Sequence, residues 1–229
     1  MTWVKICGTT SVEDAKAAIE AGADALGFIF APSVRRIEPR RAREIIALLP
    51  RTVEKVGVFV DEPMAHIREV VSSVGLTAIQ LHGDETPEFA RSILHDWPKQ
   101  LPKPPRMRVL KAVAVATGLE KDLRDFVAER TVDALLLDSA PRRAAGEPRG
   151  GTGRTFNWTR ATAFVPGVAA RVRVILAGGL TAANVGQAIR ILNPWGVDVC
   201  SGVERERGKK DYKKLREFVH AVRSAGERG

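Results

Sequence analysis

Short apolar runs rich in Val, Ile and Leu recur along the chain. Between them, apolar positions return at the three-to-four-residue spacing of amphipathic helices. The first run, Trp3-Val4-Lys5-Ile6-Cys7, ends at Gly8 and leads into an amphipathic stretch over 11–21. Runs at 24–30, 53–60, 77–81, 108–113, 132–137, 171–176 and 196–200 predict further strands. Helical patterns fill the intervals. One covers 39–49 with Pro39 in its first turn, and one runs to 72 with Asp61 as N-cap and Pro63 in its first turn. Another is capped by Thr86, and others cover 119–130, 156–164, 181–192 and 211–225, the last capped by Asp211. The strands are continuous rather than alternating, as expected where helices cover a parallel sheet. Eight such strand–helix units predict an α/β protein, a closed (β/α)8 TIM barrel. A doubly wound sheet is the alternative. No break in composition divides the chain, so a single domain over 1–229 is expected.

Composition narrows the picture. The chain has 229 residues, 45% of them hydrophobic, enough for a substantial core. Its 20 glycines and 6% aromatics suit an α/β protein with many turns. The net charge of +9 permits nucleic-acid binding or attraction of an acidic small substrate. The basic residues show no aromatic interleaving, no recognised module and no compact basic stretch, so no nucleic-acid partner is expected. Cys7 and Cys200 lie far apart and do not form a disulfide scaffold by pattern. No signal-peptide pattern opens the chain, and no apolar segment reaches the ~20 residues of a membrane span. A cytoplasmic protein with no membrane partner is therefore expected.

In barrels and doubly wound sheets, chemistry gathers at the carboxyl ends of the strands. Cys7 closes the first strand. By itself it is either a buried small hydrophobe or a thiolate of depressed pKa that works as base or nucleophile. Lys5 shares its side of the strand and supplies positive potential. Cys200, near the end of the eighth strand, reads as core packing. Asp138 stands at the end of the sixth strand, as a turn cap or as a partly buried carboxylic acid of raised pKa. In a closed barrel, Cys7 and Asp138 reach one pocket from different sides, the base-and-acid arrangement of an isomerase. Gly178-Gly179 and Ser201-Gly202 end the seventh and eighth strands, where barrels bind phosphate through backbone N–H groups. Arg35 and Arg36, after the second strand, are a carboxylate or phosphate clamp or a solvated pair. His82, ending the fourth strand, is a ligand contact or a satisfied polar residue. Gly150-Gly151-Thr152-Gly153 lacks the strand and the Lys-Ser/Thr of a P-loop, and reads as part of a flap over the pocket. His, Asp and Glu do not cluster at metal spacing, so no metal site is expected.

Taken together, these strand ends closely resemble the phosphoribosylanthranilate isomerase family. The matching pieces begin with Lys5-Ile6-Cys7-Gly8, Gly22-Ala23-Asp24, Gly27-Phe28 and Ser33-Val34-Arg35-Arg36. They continue through Val56-Gly57-Val58-Phe59-Val60, Gln80-Leu81-His82-Gly83, Leu137-Asp138-Ser139 and Gly150-Gly151-Thr152-Gly153. Thr155-Phe156-Asn157-Trp158, Leu176-Ala177-Gly178-Gly179-Leu180 with Asn184-Val185, Val197-Asp198-Val199-Cys200-Ser201-Gly202-Val203-Glu204 and Gly208-Lys209-Lys210-Asp211 complete them. The resemblance implies a (β/α)8 barrel without a cofactor that carries out an Amadori rearrangement in tryptophan biosynthesis. Its small-molecule substrate is a phosphosugar-anthranilate, and a monomer or homodimer is expected. By position, Cys7 becomes the general base and Asp138 the general acid. Arg35, two residues after Ser33, matches the substrate arginine better than Arg36, which falls where an aromatic often stands. The resemblance puts His82 near the anthranilate, Gly151 among the substrate-binding residues, and Gly178, Gly179, Ser201 and Gly202 on the phosphate. Cys200 departs from the serine expected there, and Asn157 from an aspartate. The connector 98–106 is longer than usual, on the face away from the chemistry. Related phosphosugar barrels that act on imidazole ribotides use carboxylate acid–base pairs, and Cys7 argues against them.

Overall fold

The computed structural model describes residues 1–96, 107–115, 119–128, 131–139 and 155–226. Eight parallel strands close into a barrel in chain order. They are β1 Trp3–Cys7, β2 Ala25–Ile29, β3 Glu54–Phe59, β4 Ala78–Leu81, β5 Arg108–Ala114, β6 Ala134–Asp138, β7 Arg173–Leu176 and β8 Gly196–Val199. β8 returns to pair with β1, placing Lys5 opposite Asp198 and Ile6 opposite Val199. That closure excludes the doubly wound alternative.

Helices α1 Val12–Glu20, α2 Pro39–Ile46, α3 Met64–Val74, α4 Pro87–Arg91, α5 Leu119–Ala128, α6 Trp158–Ala161, α7 Val165–Ala169, α8 Val185–Leu192 and α9 Tyr212–Gly226 accompany the strands. Several begin where a side chain satisfies a free backbone N–H. Ser11 accepts from Asp14 at 3.1 Å, Thr86 from Phe89 at 3.3 Å, and Asp211 from Lys213 at 2.9 Å and Lys214 at 3.1 Å.

Because side chains alternate along a strand, each strand feeds two cores. The outward positions, such as Ile6, Phe28, Phe59 and Val109, pack under the helices. The inward positions Ala25, Val56, Ala78, Leu110, Leu136 and Ile175 fill the barrel. Its amino-terminal mouth is closed by Trp3 stacked on Trp195, centroids 5.0 Å apart. The Arg108 guanidinium lies 5.3 Å from the Trp195 ring and is paired with Glu54. Inward residues above this plug, at the carboxyl ends of the strands, therefore face the open mouth.

The structure departs from the sequence expectation in four places. Asp61 is not an N-cap. It sits at φ +51, its Oδ1 accepts from the Asp84 N–H at 2.6 Å, and α3 starts at Met64 with Pro63 in the capping position. The helix expected over 156–164 is a single turn, 158–161, capped by Asn157, and a second short helix with Pro166 in its first turn follows it over 165–169. The helix expected from 181 starts at 185. The Asn184 Oδ1 accepts from the Thr181 N–H at 2.8 Å and holds that segment as a turn. A 3-10 turn, Ser201–Val203, leads into an unforeseen hairpin, β9 Glu204–Glu206 with β10 Lys209–Lys210, which turns at Gly208 with φ +84. Its strands are too short and too charged for a hydrophobic period to mark them. Among the described residues, no helix is long and apolar enough to cross a membrane.

Candidate active site

Cys7 is the last residue of β1 and points inward, buried at 6% exposure. Its neighbour across the sheet is Gly27 of β2. A Cβ at Gly27 would stand 2.8 Å from the Cys7 Sγ and 3.1 Å from its Cα, so only glycine leaves room for this thiol. We expect Gly27→Ala to cost about 1–3 kcal/mol through overpacking and to lower kcat at least tenfold by displacing the sulfur. Denaturation midpoints and turnover measure the two effects, and a variant with normal turnover would contradict the tight fit.

Lys5, below Cys7 on the same face, is completely buried, and its Nζ donates to the Asp198 Oδ1 at 2.9 Å. Burial works against its charge, yet Asp198 and the Cys7 sulfur together hold its pKa above the ordinary lysine value. Burial pushes Asp198 up to about 6, although Lys5 opposes that shift. The Cys7 thiol is held well below its usual range, first by a hydrogen bond from Cys200. Burial opposes the shift, and the cations Lys5 and Lys210 support it. The same hydrogen bond, with burial, holds Cys200 well above the thiol range. Cys7 is thus the more acidic thiol of the two, and the Cys200 Sγ also donates to the Glu204 Oε1 at 3.8 Å.

Cys200 is accordingly not core packing. It is half-buried and lines the same cleft as Cys7, because it continues the inward alternation of Gly196 and Asp198 past the end of β8.

Asp138 ends β6, buried and facing the same cleft. The His82 Nε2 lies 3.3 Å from the Asp138 Oδ2, and its Nδ1 lies 2.8 Å from the Gln80 Nε2. The ring thus stands between Gln80 and Asp138, with one nitrogen towards each. His82 is therefore a partner of the candidate acid as well as a lining residue.

The two arginines separate. The Arg35 side chain is buried against Glu204, with Nε donating to Oε1 and Nη2 to Oε2, both at 2.7 Å, which leaves both Nη1 N–H groups and the second Nη2 N–H for other acceptors. The Arg36 side chain is 54% exposed and reaches Glu38 at 3.7 Å, outside the cleft lining. Burial works against the Glu204 charge, but Arg35 and Lys210 hold its pKa below the usual carboxylate value.

The loops after β7 and β8 form the remaining wall. Gly178 and Gly179 adopt φ of +78 and +63, conformations that favour glycine. A Cβ at Gly202 would collide with the Leu180 carbonyl oxygen. Gly178, Gly179, Ser201 and Gly202 all line the cleft, which encloses about 780 Å³, part of it open to solvent. Gly151, with the whole 140–154 flap reading and the 98–106 connector, lies outside the described residues. Among the described residues, no three His, Cys, Asp or Glu side chains gather as a metal-binding set.

Sequence reasoning missed Asp198, Glu204 and Lys210. The first had a signal, since Asp198 is a lone charge at an inward position of an apolar strand, as Lys5 is. Lys210 had none. Its Nζ is fully buried, donating to the Cys7 carbonyl at 2.6 Å and to Glu204 at 3.2 Å.

A profile of the N-(5'phosphoribosyl)anthranilate (PRA) isomerase family matches residues 4–221. The N-(5'-phosphoribosyl)anthranilate isomerase of Pelobacter propionicus is 45% identical over 224 residues, covering 97% of this chain and 96% of its own. The crystal structure of phosphoribosyl anthranilate isomerase from Thermotoga maritima superimposes with a TM-score of 0.81 at 40% identity, over 98% of this chain and all (100%) of that one. A second phosphoribosyl anthranilate isomerase structure, in complex with reduced 1-(o-carboxyphenylamino)-1-deoxyribulose 5-phosphate, gives 0.79 at 38% identity, over 98% of this chain and 100% of that one.

Proposed function

Because the chain belongs to the N-(5'-phosphoribosyl)anthranilate isomerase family, an enzyme family of tryptophan biosynthesis, we propose that Cys7 and Asp138 are the base and acid of its reaction. The observation that carries this is their placement. A thiolate-favouring cysteine on β1 and a carboxyl group on β6 line one cleft, walled by the glycine turns after β7 and β8. The reaction converts N-(5'-phosphoribosyl)anthranilate to 1-(2-carboxyphenylamino)-1-deoxyribulose 5-phosphate.

Asp138 gives its proton to the furanose ring oxygen as the C1–O bond breaks, and the anthranilate nitrogen lone pair forms the Schiff base. Cys7 then removes the proton from C2, and the electron pair moves to the nitrogen to give an enolamine. Tautomerisation of the enolamine yields the ketone. Lys5 and Lys210 hold the thiolate ready, and His82 orients the Asp138 carboxyl group. Phosphate binds the N–H groups of Gly178, Gly179, Ser201 and Gly202. Arg35 turns the N–H groups that Glu204 leaves free towards the anthranilate carboxylate.

The test is direct. Fluorescent phosphoribosylanthranilate is mixed with the purified chain and its decay is followed. Decay no faster than the spontaneous rate would end the reading. For Arg35→Lys, we expect KM to rise tenfold or more with a smaller change in kcat. The loss corresponds to about 1.5–3 kcal/mol for a hydrogen bond to a charged group. An unchanged KM would remove Arg35 from the substrate.

A further inference from the structure

We propose that Cys7 and Cys200 form a reversible, peroxide-sensitive dithiol, in which a disulfide between them stops turnover and reduction restores it. The barrel closure creates the pair. β1 and β8 run in parallel with Ile6 opposite Val199, and Cys7 and Cys200 are the residues that directly follow this last pair. Neighbouring strands lie about 4.8 Å apart, inside the roughly 4.4–6.8 Å that a disulfide spans between Cα atoms. Both cysteines are free thiols and both line the cleft, and the Cys200 Sγ lies 3.1 Å from where a Cβ on Gly8, the residue after Cys7, would stand. The Lys210 Nζ donates to both of their carbonyls, at 2.6 Å to Cys7 and 3.4 Å to Cys200, and so ties the two strand ends together.

The chemistry has a built-in order. The Cys7 thiolate attacks one oxygen of hydrogen peroxide. An S–O bond forms and the O–O bond breaks, leaving Cys7 as sulfenic acid while the departing hydroxide takes a proton to become water. Cys7 then no longer carries the charge that held the Cys200 proton in place. Lys210 and Arg35 remain beside Cys200 and favour its thiolate. The Cys200 sulfur attacks the Cys7 sulfur. The S–S bond forms, the S–O bond breaks, and hydroxide leaves with the Cys200 proton as a second water. Two thiols lose two electrons in all, and one peroxide becomes two waters. A small molecule of the thiol class reverses the bond.

The test treats the purified enzyme with hydrogen peroxide, quenches with catalase, and alkylates under denaturing conditions before intact-mass analysis. We expect turnover and both alkylation sites to be lost in parallel, with the chain lighter by two hydrogens, and dithiothreitol to restore all three. Cys200→Ser keeps a hydroxyl donor but cannot form the bond. With no second thiol to trap the sulfenic acid, further peroxide should carry its Cys7 to the sulfinic and sulfonic acids, seen as two or three added oxygens, and dithiothreitol, which does not reduce these, should recover much less of its own starting activity. Oxygen adducts on wild-type Cys7 with Cys200 still alkylated would overturn the proposal, as would a disulfide joining two chains. An internal disulfide with undiminished turnover would overturn the switch and the role of Cys7 as base together. The loss of turnover rests on that role, whereas the mass change does not. Failure of the dithiol alone, with Cys7→Ser still inactive, leaves the base in place.

Discussion

Asp138→Asn and Cys7→Ser are each expected to lower kcat by about 10²–10⁴-fold, the usual contribution of a positioned acid or base. Neither should disturb the fold. Asparagine keeps the shape of the β6 terminus and stays beside the His82 Nε2, which lies 3.3 Å from the present carboxyl group, but it has no acidic proton for the ring oxygen. Serine fits the space that Gly27 leaves for the Cys7 sulfur, but its hydroxyl stays protonated where the thiol ionises. The measurement is phosphoribosylanthranilate fluorescence decay, with a thermal melt as control for folding. Near-wild-type turnover in either variant, with an unchanged melt, would remove that residue from the chemistry.

Lys5→Met is the second large effect, and it has two independent signatures. The ammonium lies beside the thiolate and supports its low pKa. Without it the Cys7 pKa rises, less thiolate is present at neutral pH, and the acidic limb of the kcat/KM profile moves to higher pH. The other signature is stability. Removing one partner of a fully buried ion pair costs about 3–5 kcal/mol, here by leaving Asp198 uncompensated. Even with Lys5 present, burial raises the Asp198 pKa to about 6 from its ordinary 3.8, and without Lys5 it rises further. A carboxyl group whose folded-state pKa is raised stabilises below its unfolded value and loses that contribution as pH rises through the folded value. The deficit of Lys5→Met should therefore be smaller near pH 5 and grow towards pH 8. Urea denaturation at several pH values reads this, and a deficit constant over the range would show that Asp198 does not titrate there.

The individual residues show why some of this was legible and some was not. The barrel was legible because each strand is a local signal: a continuous apolar run, a glycine or polar stop, then a helical period. Cys7, Asp138 and the glycine pairs were legible for the same reason, as polar or flexible residues at the ends of such runs. The start of α3 was misplaced because Asp61 looks like a cap, while its carboxylate bonds the backbone of Asp84 in another loop. Cys200 was read as core because its partner stands on the first strand, and no local pattern says which face of a strand end meets which neighbour.

The amino-acid sequence by itself thus determined the (β/α)8 barrel and the polar residues and glycines at the carboxyl ends of its strands, because hydrophobic period and strand-end chemistry act over short stretches. Only the tertiary structure decided the electrostatics of the site. The Lys5–Asp198 pair, the Arg35–Glu204–Lys210 cluster and the meeting of the two cysteines in one cleft all join distant segments. They exist because β8 closes on β1 in one particular register and the β9–β10 hairpin folds Lys210 back onto that seam.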